Sequence, residues 1–279
     1  AYEESFEKYN IENGHFRTEK KMNNVQIQDI EDLGIKLYEN YYVEEALTNG
    51  STMRIFKNRD EVNKVCLMKG KMPEKPGEIG IDRMYADNND LSVGDEIESG
   101  GHTWKITGLV ALSDYSALFS NNNDSMFDSV KFGVSVVCPE EFDSYKADQL
   151  NYSYAWKYNT EPKNEKAEKD ISEDLMEDVA KEVTLEEFVP RYTNQAIIFT
   201  GDDMGGDRSM MIVLLYIIIV IMAFVFAITT SNTIRKEANV IGTLRASGYT
   251  RGELIRHYMA APVFVTFIGA IIGNIIGYT

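Results

Sequence analysis

The order of apolar and polar residues divides the chain into a long mixed part and a short, strongly apolar part. Residues 209–233 are 25 consecutive residues without a charged side chain, and residues 258–279 are 22 more. A helix of about 20 apolar residues covers the hydrocarbon core of a bilayer, so each run is long enough to span a membrane. Buried helices of soluble proteins seldom remain uncharged over this length. The pattern therefore predicts two transmembrane helices, with a buried helix in a soluble core as the alternative.

Residues 1–208 show the pattern of an α+β domain, a mixed sheet with flanking helices. Alternating or β-rich runs, separated by turn signals such as TNGS, KPGE and SVGDE, predict strands. The predicted strands are residues 35–43, 51–57, 102–112 and 131–138. The predicted helices are residues 24–34, which end in a glycine, and residues 164–183.

The second of these helices has one apolar stripe on an otherwise acidic surface. The stripe residues recur every four positions, at Ile171, Leu175, Val179 and Val183. A helix of this kind is expected to lie on the face of a sheet, with its acidic side in solvent.

Two segments are interpreted as boundaries within or after this region. The composition shifts at Asn159–Lys169, which is expected to divide the outer region into two lobes. Thr200–Ser209, with the sequence TGDDMGGDRS, is expected to form a hinge before the first span.

The distribution of charge orients the predicted spans. The chain has a net charge of −16, yet residues 234–257 hold five Lys or Arg and two Glu, a net of +3, and residues 1–208 have a net of −19. Short cytoplasmic loops are enriched in Lys and Arg, whereas long domains cross a membrane largely regardless of charge. We therefore expect residues 1–208 to be extracytoplasmic, residues 209–233 and 258–279 to span the membrane, and residues 234–257 to form a cytoplasmic loop.

The two ends of the sequence lead to a further expectation. Residues 1–10, AYEESFEKYN, have no apolar core of a signal peptide, and Thr279 stands at the end of an apolar run. An outer domain of this size needs a preceding segment that directs it across the membrane. We expect an internal piece of a longer multi-pass protein, with at least one span before Ala1.

Residues suited to catalysis are sparse in this chain. The histidines His15, His102 and His257 are far apart, and the last falls in the predicted cytoplasmic loop, so they are not expected to form a cluster. Gly70–Lys71 lacks the other residues of a phosphate-binding loop. We expect no enzyme activity and no cofactor, and the acidic composition argues against binding of nucleic acid.

Two other features have a structural explanation and a functional one. The carboxylates of NNNDSMFD and GDDMGGD could hold Ca²⁺, but neither stretch has the ligand spacing of a helix–loop–helix calcium site, so turn and hinge roles are favoured. Cys66 and Cys138 could pair outside the cell, but two cysteines do not make a disulfide framework, so free, buried thiols are favoured.

The predicted cytoplasmic loop contains helix-boundary signals. Gly248 suits the residue after a helix end, where φ is usually positive, and Thr250 and Glu253 have the spacing of a capping box. One helix should therefore end near Ser247 and another begin at Thr250. A single helix of 38 residues from Met210 to Ser247 would measure about 57 Å. It is expected either to project as a stem or to bend and lie along the membrane.

Either arrangement creates one apolar patch from Val240, Ile241 and Leu244, flanked by Arg245 and Arg251. The patch would suit membrane lipid, with the arginines drawn to anionic headgroups. It would equally suit docking to a cytoplasmic protein. Composition alone leaves both open.

In residues 239–262, NVIGTLRASGYTRGELIRHYMAAP, the loop resembles the motif of FtsX-like permeases, the membrane subunits of ABC transporters of the MacB type. The family motif joins its second and third spans and has the form Ile-Gly-x-Leu-[Lys/Arg]-Ala-x-Gly-[Tyr/Ala]-[Ser/Thr]. The matching residues are Ile241, Gly242, Leu244, Arg245, Ala246, Gly248, Tyr249 and Thr250. Ser247 departs from the apolar residue usual at its position.

A second stretch resembles the family's MacB-like extracytoplasmic core domain. It comprises residues 70–97 and the WKITGLV that follows shortly after. The residues that carry the resemblance are Pro76, Gly77, Glu78, Ile79, Val93, Gly94 and Asp95. Residues 100–200 fit the family only loosely, so the resemblance implies nothing about cargo.

The resemblance implies a permease subunit in a bacterial cell membrane. Such a subunit couples ATP hydrolysis by a separate ABC ATPase subunit to movement of its extracytoplasmic domain, for export, for extraction of lipid, lipoprotein or peptide, or for mechanotransmission. A paired ATPase also implies a second permease half, as a homodimer or an internal repeat. The implied ATPase-coupling residues are Glu237, Val240, Ile241, Leu244, Arg245 and Arg251.

The second span carries a packing signal. Gly269, Gly273 and Gly277 recur every four residues, so one helix face lacks side chains and allows close approach of another helix. The partner is expected to be a neighbouring span or the second permease half. Asn274 is expected to form a hydrogen bond across such an interface.

A different class of function remains as the alternative. A membrane-anchored extracytoplasmic sensor, or a cell-wall regulator without transport, would have the same acidic outer domain and the same spans. A neighbouring ATPase gene would favour the permease, and a neighbouring kinase gene would favour the sensor.

Overall fold

Strands and short helices alternate through the first two thirds of the chain, and three helices follow. The computed structural model describes residues 2–277. The strands are β1 (Gly14–Thr18), β2 (Ile35–Glu39), β3 (Tyr42–Ala46), β4 (Thr52–Lys57), β5 (Val65–Gly70), β6 (Glu78–Asp82), β7 (Glu96–Ser99), β8 (His102–Leu112), β9 (Phe132–Val137), β10 (Tyr152–Tyr158) and β11 (Leu185–Pro190). The helices are α1 (Tyr2–Lys8), α2 (Asn24–Glu31), α3 (Arg83–Asn88), α4 (Pro139–Phe142), α5 (Glu165–Glu182), α6 (Gln195–Lys236), α7 (Ala238–Ala246) and α8 (Arg251–Gly277), with a 3-10 turn at Arg191–Thr193.

The strands form two sheets. A four-stranded sheet has the order β11-β1-β10-β2, and all its neighbours are antiparallel. A seven-stranded sheet has the order β3-β4-β9-β6-β8-β5, with β7 paired beside β8. The pairs β4–β9 and β6–β8 are parallel, and the other pairs of this sheet are antiparallel. The predicted fold class, an α+β domain with a mixed sheet and flanking helices, is confirmed.

One continuous core of buried side chains joins the two sheets. Phe16 and Trp156 of the four-stranded sheet belong to the same cluster as Trp104, Ile106 and Val134 of the seven-stranded sheet. All five side chains are fully buried. The chain forms two compact units, Ala1–Met204 and Gly205–Thr279, and both sheets lie in the first. The prediction that Asn159–Lys169 divides two lobes is therefore wrong, because this segment only connects β10 to α5.

The predicted strands 51–57, 102–112 and 131–138 and both predicted helices are present, but the predicted strand 35–43 is two strands, β2 and β3, which separate at Asn40 and lie in different sheets. The apolar stripe of α5 also differs from its prediction. Leu175 and Val179 are buried, whereas Ile171 is 43 % exposed. Buried Ser172 takes the place of Ile171, and its hydroxyl lies 2.9 Å from the Tyr192 hydroxyl. A four-residue spacing drifts by about 40° per step in a helix of 3.6 residues per turn. The buried face therefore follows positions 172, 175 and 179.

Helix α6 runs through the segment that was predicted to be a hinge. All of Thr200–Ser209 is helical within this 42-residue helix, and the boundary between the two compact units, Met204/Gly205, lies inside this segment. Gly205 and Gly206 cost a helix about 1 kcal/mol each relative to alanine, but they do not break its hydrogen bonds as proline would. Among the described residues, α6 and α8 are long and apolar enough to cross a membrane.

Candidate functional site

The residues that were predicted to contact an ATPase lie in a segment that we call the elbow, residues 237–253. Helix α6 ends at Lys236 and α7 begins at Ala238, with Glu237 between them at φ −96° and ψ 11°. The helical hydrogen bonds continue through the junction, since the Glu237 amide donates to the Thr233 carbonyl at 3.1 Å and the Ile241 amide to the Glu237 carbonyl at 2.9 Å. The chain thus interrupts the regular helix at one residue without forming a loop.

The end of α7 has a complete glycine cap. Gly248 has φ +100°, as its predicted position requires. The Tyr249 amide donates to the Leu244 carbonyl at 3.1 Å, and the Gly248 amide donates to the Arg245 carbonyl at 3.2 Å. These two bonds make up a Schellman motif, which satisfies carbonyls that the helix end would otherwise leave free. The predicted end of this helix near Ser247 is confirmed.

The start of α8 has the predicted capping box. The Glu253 amide donates to the Thr250 hydroxyl oxygen at 3.3 Å, and the Thr250 amide donates to a Glu253 carboxylate oxygen at 2.8 Å. The bond from the Thr250 amide, together with the Thr250 hydroxyl, holds the pKa of Glu253 below its usual value. Two caps separated by one residue therefore fix the turn between α7 and α8.

A side-chain hydrogen bond joins the start of the elbow to the part of α8 that follows it. The Tyr258 hydroxyl on α8 donates to the carboxylate of Glu237, which precedes α7. The two residues are 21 positions apart, so the sequence contained no local signal for this contact. Glu237 was predicted to contact an ATPase, and the structure gives its carboxylate a partner within the chain.

The other predicted coupling residues are accessible in this unit. Val240 is 55 % exposed, and Ile241 and Leu244 are partly exposed. Val240 and Leu244 are four residues apart and so share one side of α7. Arg245 near the end of α7 and Arg251 at the start of α8 are both exposed. The elbow thus presents an open apolar row with two cations beside it.

The glycines of α8 leave one side of this helix open. A methyl group built at Gly269, Gly273 or Gly277 would meet nothing within 4 Å. Asn274 donates to the Ala270 carbonyl of its own helix at 2.8 Å, and the expected bond across an interface stays a prediction.

The polar features of the first unit have structural partners. Asp124 accepts hydrogen bonds from Ser120 and Asn121, and Asp128 accepts from two backbone amides of its own turn. The predicted turn roles of these carboxylates are therefore confirmed. Cys138 is buried and Cys66 half-buried, and both thiols are free.

Two of the cavities in the first unit have walls from both sheets. The larger, of about 610 Å³, is a cleft between the two sheets, lined by β2 and β10 on one side and by β4 and α4 on the other. The smaller, of about 110 Å³, is polar and lies beside a buried ion pair between Arg59 and Asp114. His15 lines this smaller cavity with its Nδ1 at 2.6 Å from the Glu12 carboxylate.

Comparison with known proteins supports the resemblance that was expected from the sequence. A family model described as FtsX-like permease C-terminal matches residues 212–279, which include the elbow and α8. No curated protein matches the chain.

Two solved structures are similar to part of the chain. One is the periplasmic region of MacB from Actinobacillus actinomycetemcomitans, at 11 % identity and a TM-score of 0.34, covering 61 % of this chain and 86 % of that one. The other is the extracellular domain of the noncanonic ABC-type transporter YknZ from Gram-positive bacteria, at 10 % identity and a TM-score of 0.33, covering 62 % of this chain and 100 % of that one.

Proposed function

We propose that this chain, whose residues 212–279 match the FtsX-like permease family, is part of an ABC transporter permease that couples ATP hydrolysis by a separate subunit to movement of an extracytoplasmic domain. The observation that carries the proposal is the elbow, a short capped helix with an open apolar row between two helices long enough to span a membrane. The chain itself acts without catalysing a reaction.

The proposed layout follows from the distribution of charge. Residues 1–208 lie outside the cytoplasm, residues 209–233 and 258–279 span the bacterial cell membrane, and residues 234–257 face the cytoplasm. The net charge of +3 on residues 234–257 supports this orientation because short basic loops are retained inside.

The elbow is the proposed docking site for the ATPase subunit. Val240, Ile241 and Leu244 would enter an apolar depression on the ATPase, while Arg245 and Arg251 would pair with acidic groups at its edge. Exposed apolar side chains on a fixed helix are typical of interaction sites, and a few central anchors commonly carry most of the binding energy. The caps at Gly248 and Thr250 support this role because they hold α7 in one position before a partner binds.

Glu237 has a different proposed role from the other five residues. Its bond with Tyr258 ties the start of α7 to α8. It would therefore position the docking helix rather than contact the ATPase.

A second permease half is the proposed partner within the membrane. The open glycine face of α8 supports close packing against another helix, either a further span or a second copy. The remaining apolar surface of α6 and α8 would contact lipid.

Co-purification of the full-length permease with its candidate ATPase tests the proposal. Leu244→Asp and Arg245→Glu are expected to remove the complex and the permease-dependent part of ATP hydrolysis. Lys181→Glu, an equal charge reversal at an exposed position on α5, serves as the control and should leave both unchanged. The proposal is wrong if the two elbow variants bind and stimulate the ATPase as the parent does. A permease that binds no ATPase at all would instead favour the sensor.

A further inference from the structure

The loop between β8 and β9 holds the first turns of α6. We call residues 113–131 the clamp loop. Its Ser116 hydroxyl lies 2.9 Å from each of two carbonyl oxygens in the first turn of α6. The Gln195 amide donates to the Asn122 side-chain oxygen at 2.9 Å, and the Gln195 side chain donates to the Asn122 carbonyl. The beginning of the long helix is therefore fixed by contacts to a distant part of the chain.

An aromatic cluster reinforces these hydrogen bonds. Phe119 and Phe127 of the clamp loop and Phe199 of α6 stack edge to face, with ring centroids 5.4 to 5.8 Å apart. Ala117 and Ala196 are buried in the same cluster. Edge-to-face packing is a favoured geometry of aromatic rings and stabilises a contact beyond the burial of its apolar area.

The clamp loop is in turn tied to the seven-stranded sheet. Arg54 on β4 donates to the Tyr115 hydroxyl at 2.7 Å and to the Ser120 carbonyl at 2.8 Å. At the start of the loop, Asp114 pairs with Arg59 just after β4. A displacement of the clamp loop would therefore move the seven-stranded sheet with it.

The backbone connects the same helix to the other sheet. Helix α6 follows β11 of the four-stranded sheet after only the 3-10 turn Arg191–Thr193 and Asn194. The Asn194 side chain caps α6 by accepting from the Ala196 amide at 3.1 Å. The head of α6, residues 195–200, is thus joined covalently to one sheet and by the clamp to the other.

The cleft between the two sheets would change in width if the sheets changed their relative orientation. Its walls include Tyr152 of the four-stranded sheet and Lys57 and Phe142 on the side of the seven-stranded sheet. Because the two walls belong to different sheets, the width of the cleft depends on the angle between them.

We propose that α6 tilts about a pivot near Asn194 and that the clamp loop makes the seven-stranded sheet move with it. This movement changes the width of the cleft. The inference rests on the proposed function, which supplies the force on α6. It assigns Ser116, Asn122, Phe119 and Phe199 as positioning residues that join the helix to the cleft. A ligand held in the cleft would then be gripped or released according to the nucleotide state of the ATPase.

The test measures the cleft directly in the full-length permease with its ATPase. Spin labels are placed at Lys36→Cys on β2 and Glu140→Cys on α4, both exposed, with Cys66 and Cys138 replaced by serine. The distance between the labels is expected to differ between the nucleotide-free and the ATP-trapped complex. In the Ser116→Ala/Asn122→Ala variant the distance should no longer respond to ATP, while ATP hydrolysis remains at the parent rate.

Met126→Ala is the matched control, since this side chain lies in the clamp loop but is 77 % exposed. It should leave the ATP-dependent distance change intact. Phe199→Ala should also abolish the ATP-dependent distance change. An unfolding curve of this variant establishes that its first unit is native. A change in distance that survives in the Ser116/Asn122 variant overturns the clamp. A parent complex that hydrolyses ATP under permease control without any change in distance overturns the link to the cleft. Failure of the proposed function is recognised separately, as the absence of permease-dependent ATP hydrolysis.

Discussion

The guanidinium of Arg59 and the carboxylate of Asp114 form a bidentate ion pair inside the first unit, with nitrogen–oxygen distances of 2.7 and 2.8 Å. Their side chains are only 7 % and 5 % exposed. Removing one member of a buried pair leaves the other charge without compensation, which costs about 3–5 kcal/mol. Asp114→Ala is therefore expected to lower the free energy of unfolding by about that amount.

Tryptophan fluorescence can follow this unfolding in the full chain, because both tryptophans, Trp104 and Trp156, are buried in the first unit. Asp178→Ala removes the exposed partner of Lys181 and serves as the control. Exposed pairs are screened by solvent and contribute little to stability. Equal losses in the two variants would contradict the structural role of the buried pair.

Asp82 gives the first unit a specific dependence on pH. Burial raises the pKa of this carboxyl to about 6, although it accepts hydrogen bonds from the amides of Tyr85 and Met84 at the start of α3. The unfolded chain has a carboxyl pKa near 3.9, so the folded state binds more protons between roughly pH 4 and 6. The cost of ionising Asp82 therefore appears as pH rises through this window. It reaches on the order of 2–3 kcal/mol above pH 6.

Asp82→Asn keeps an oxygen that can cap α3 and removes the ionisation. The unfolding free energy of the variant should equal that of the parent near pH 4 and exceed it by about 2–3 kcal/mol at pH 7. Fluorescence-detected unfolding across this range provides the measurement. A difference that stays constant or shrinks with rising pH would show that the carboxyl is not held at a raised pKa.

The bond between Tyr258 and Glu237 should control the mobility of the elbow. Tyr258→Phe removes the hydroxyl and keeps the ring, so a spin label at Ala246→Cys should become more mobile. Stimulation of the ATPase should fall with it, since a mobile helix loses more entropy on docking. Tyr249→Phe, at a tyrosine that is 52 % exposed, is the matched control and should change neither quantity. Identical label mobility in Tyr258→Phe and the parent would refute the positioning role of Glu237.

Two glycines of the elbow should respond to alanine in opposite directions. Gly248 has φ +100° with open space around it, so Gly248→Ala adds only backbone strain, of about 1–2 kcal/mol. Gly242 lies inside α7 with equally open surroundings, where alanine is preferred to glycine by about 1 kcal/mol. Amide hydrogen exchange in α7 is expected to become faster in Gly248→Ala and slower in Gly242→Ala. Changes of the same sign would contradict the cap.

The glycine face of α8 should determine how this helix associates. Gly273→Leu fills the open side and is expected to reduce association of the permease halves or spans, because helices in a membrane need small residues for close contact. Ile272→Leu keeps the volume of a side chain about 100° away around the helix and is the control. Cross-linking yield in native membranes reports the association. An unchanged yield in Gly273→Leu would exclude this face as the contact.

Local rules predicted much of the fold from the sequence. Strand β8 was predicted at its observed bounds, and the caps at Gly248 and Thr250 follow from residues that contact their own neighbours. The differences arose where residue spacing and composition do not determine the outcome. In α5 a four-residue spacing drifts around the helix, so Ser172 rather than Ile171 is buried, and the Tyr192 hydroxyl lies beside the Ser172 hydroxyl. Thr200–Ser209 is helical throughout, although the boundary between the two compact units lies within it.

Contacts over long sequence separations were outside the reach of these rules. Nothing near Ser116 or Asn122 indicates that they hold α6, whose first turns follow about 80 and 73 residues later. Tyr258 was likewise assigned only to the second span. Its partner, Glu237, lies between α6 and α7 and was predicted to contact the ATPase subunit.

The proposed layout places the acidic first unit and the elbow on opposite sides of a membrane, and the accessibility of single cysteines reports this topology. Two variants, Met126→Cys and Tyr249→Cys, are made in the full-length protein without Cys66 and Cys138. Intact cells with a permeable outer layer are treated with a maleimide that does not cross the cell membrane. We predict labelling at position 126 before lysis and at position 249 only after it. Labelling at position 249 in intact cells, with position 126 protected, would establish the inverted topology and rule out the proposed layout.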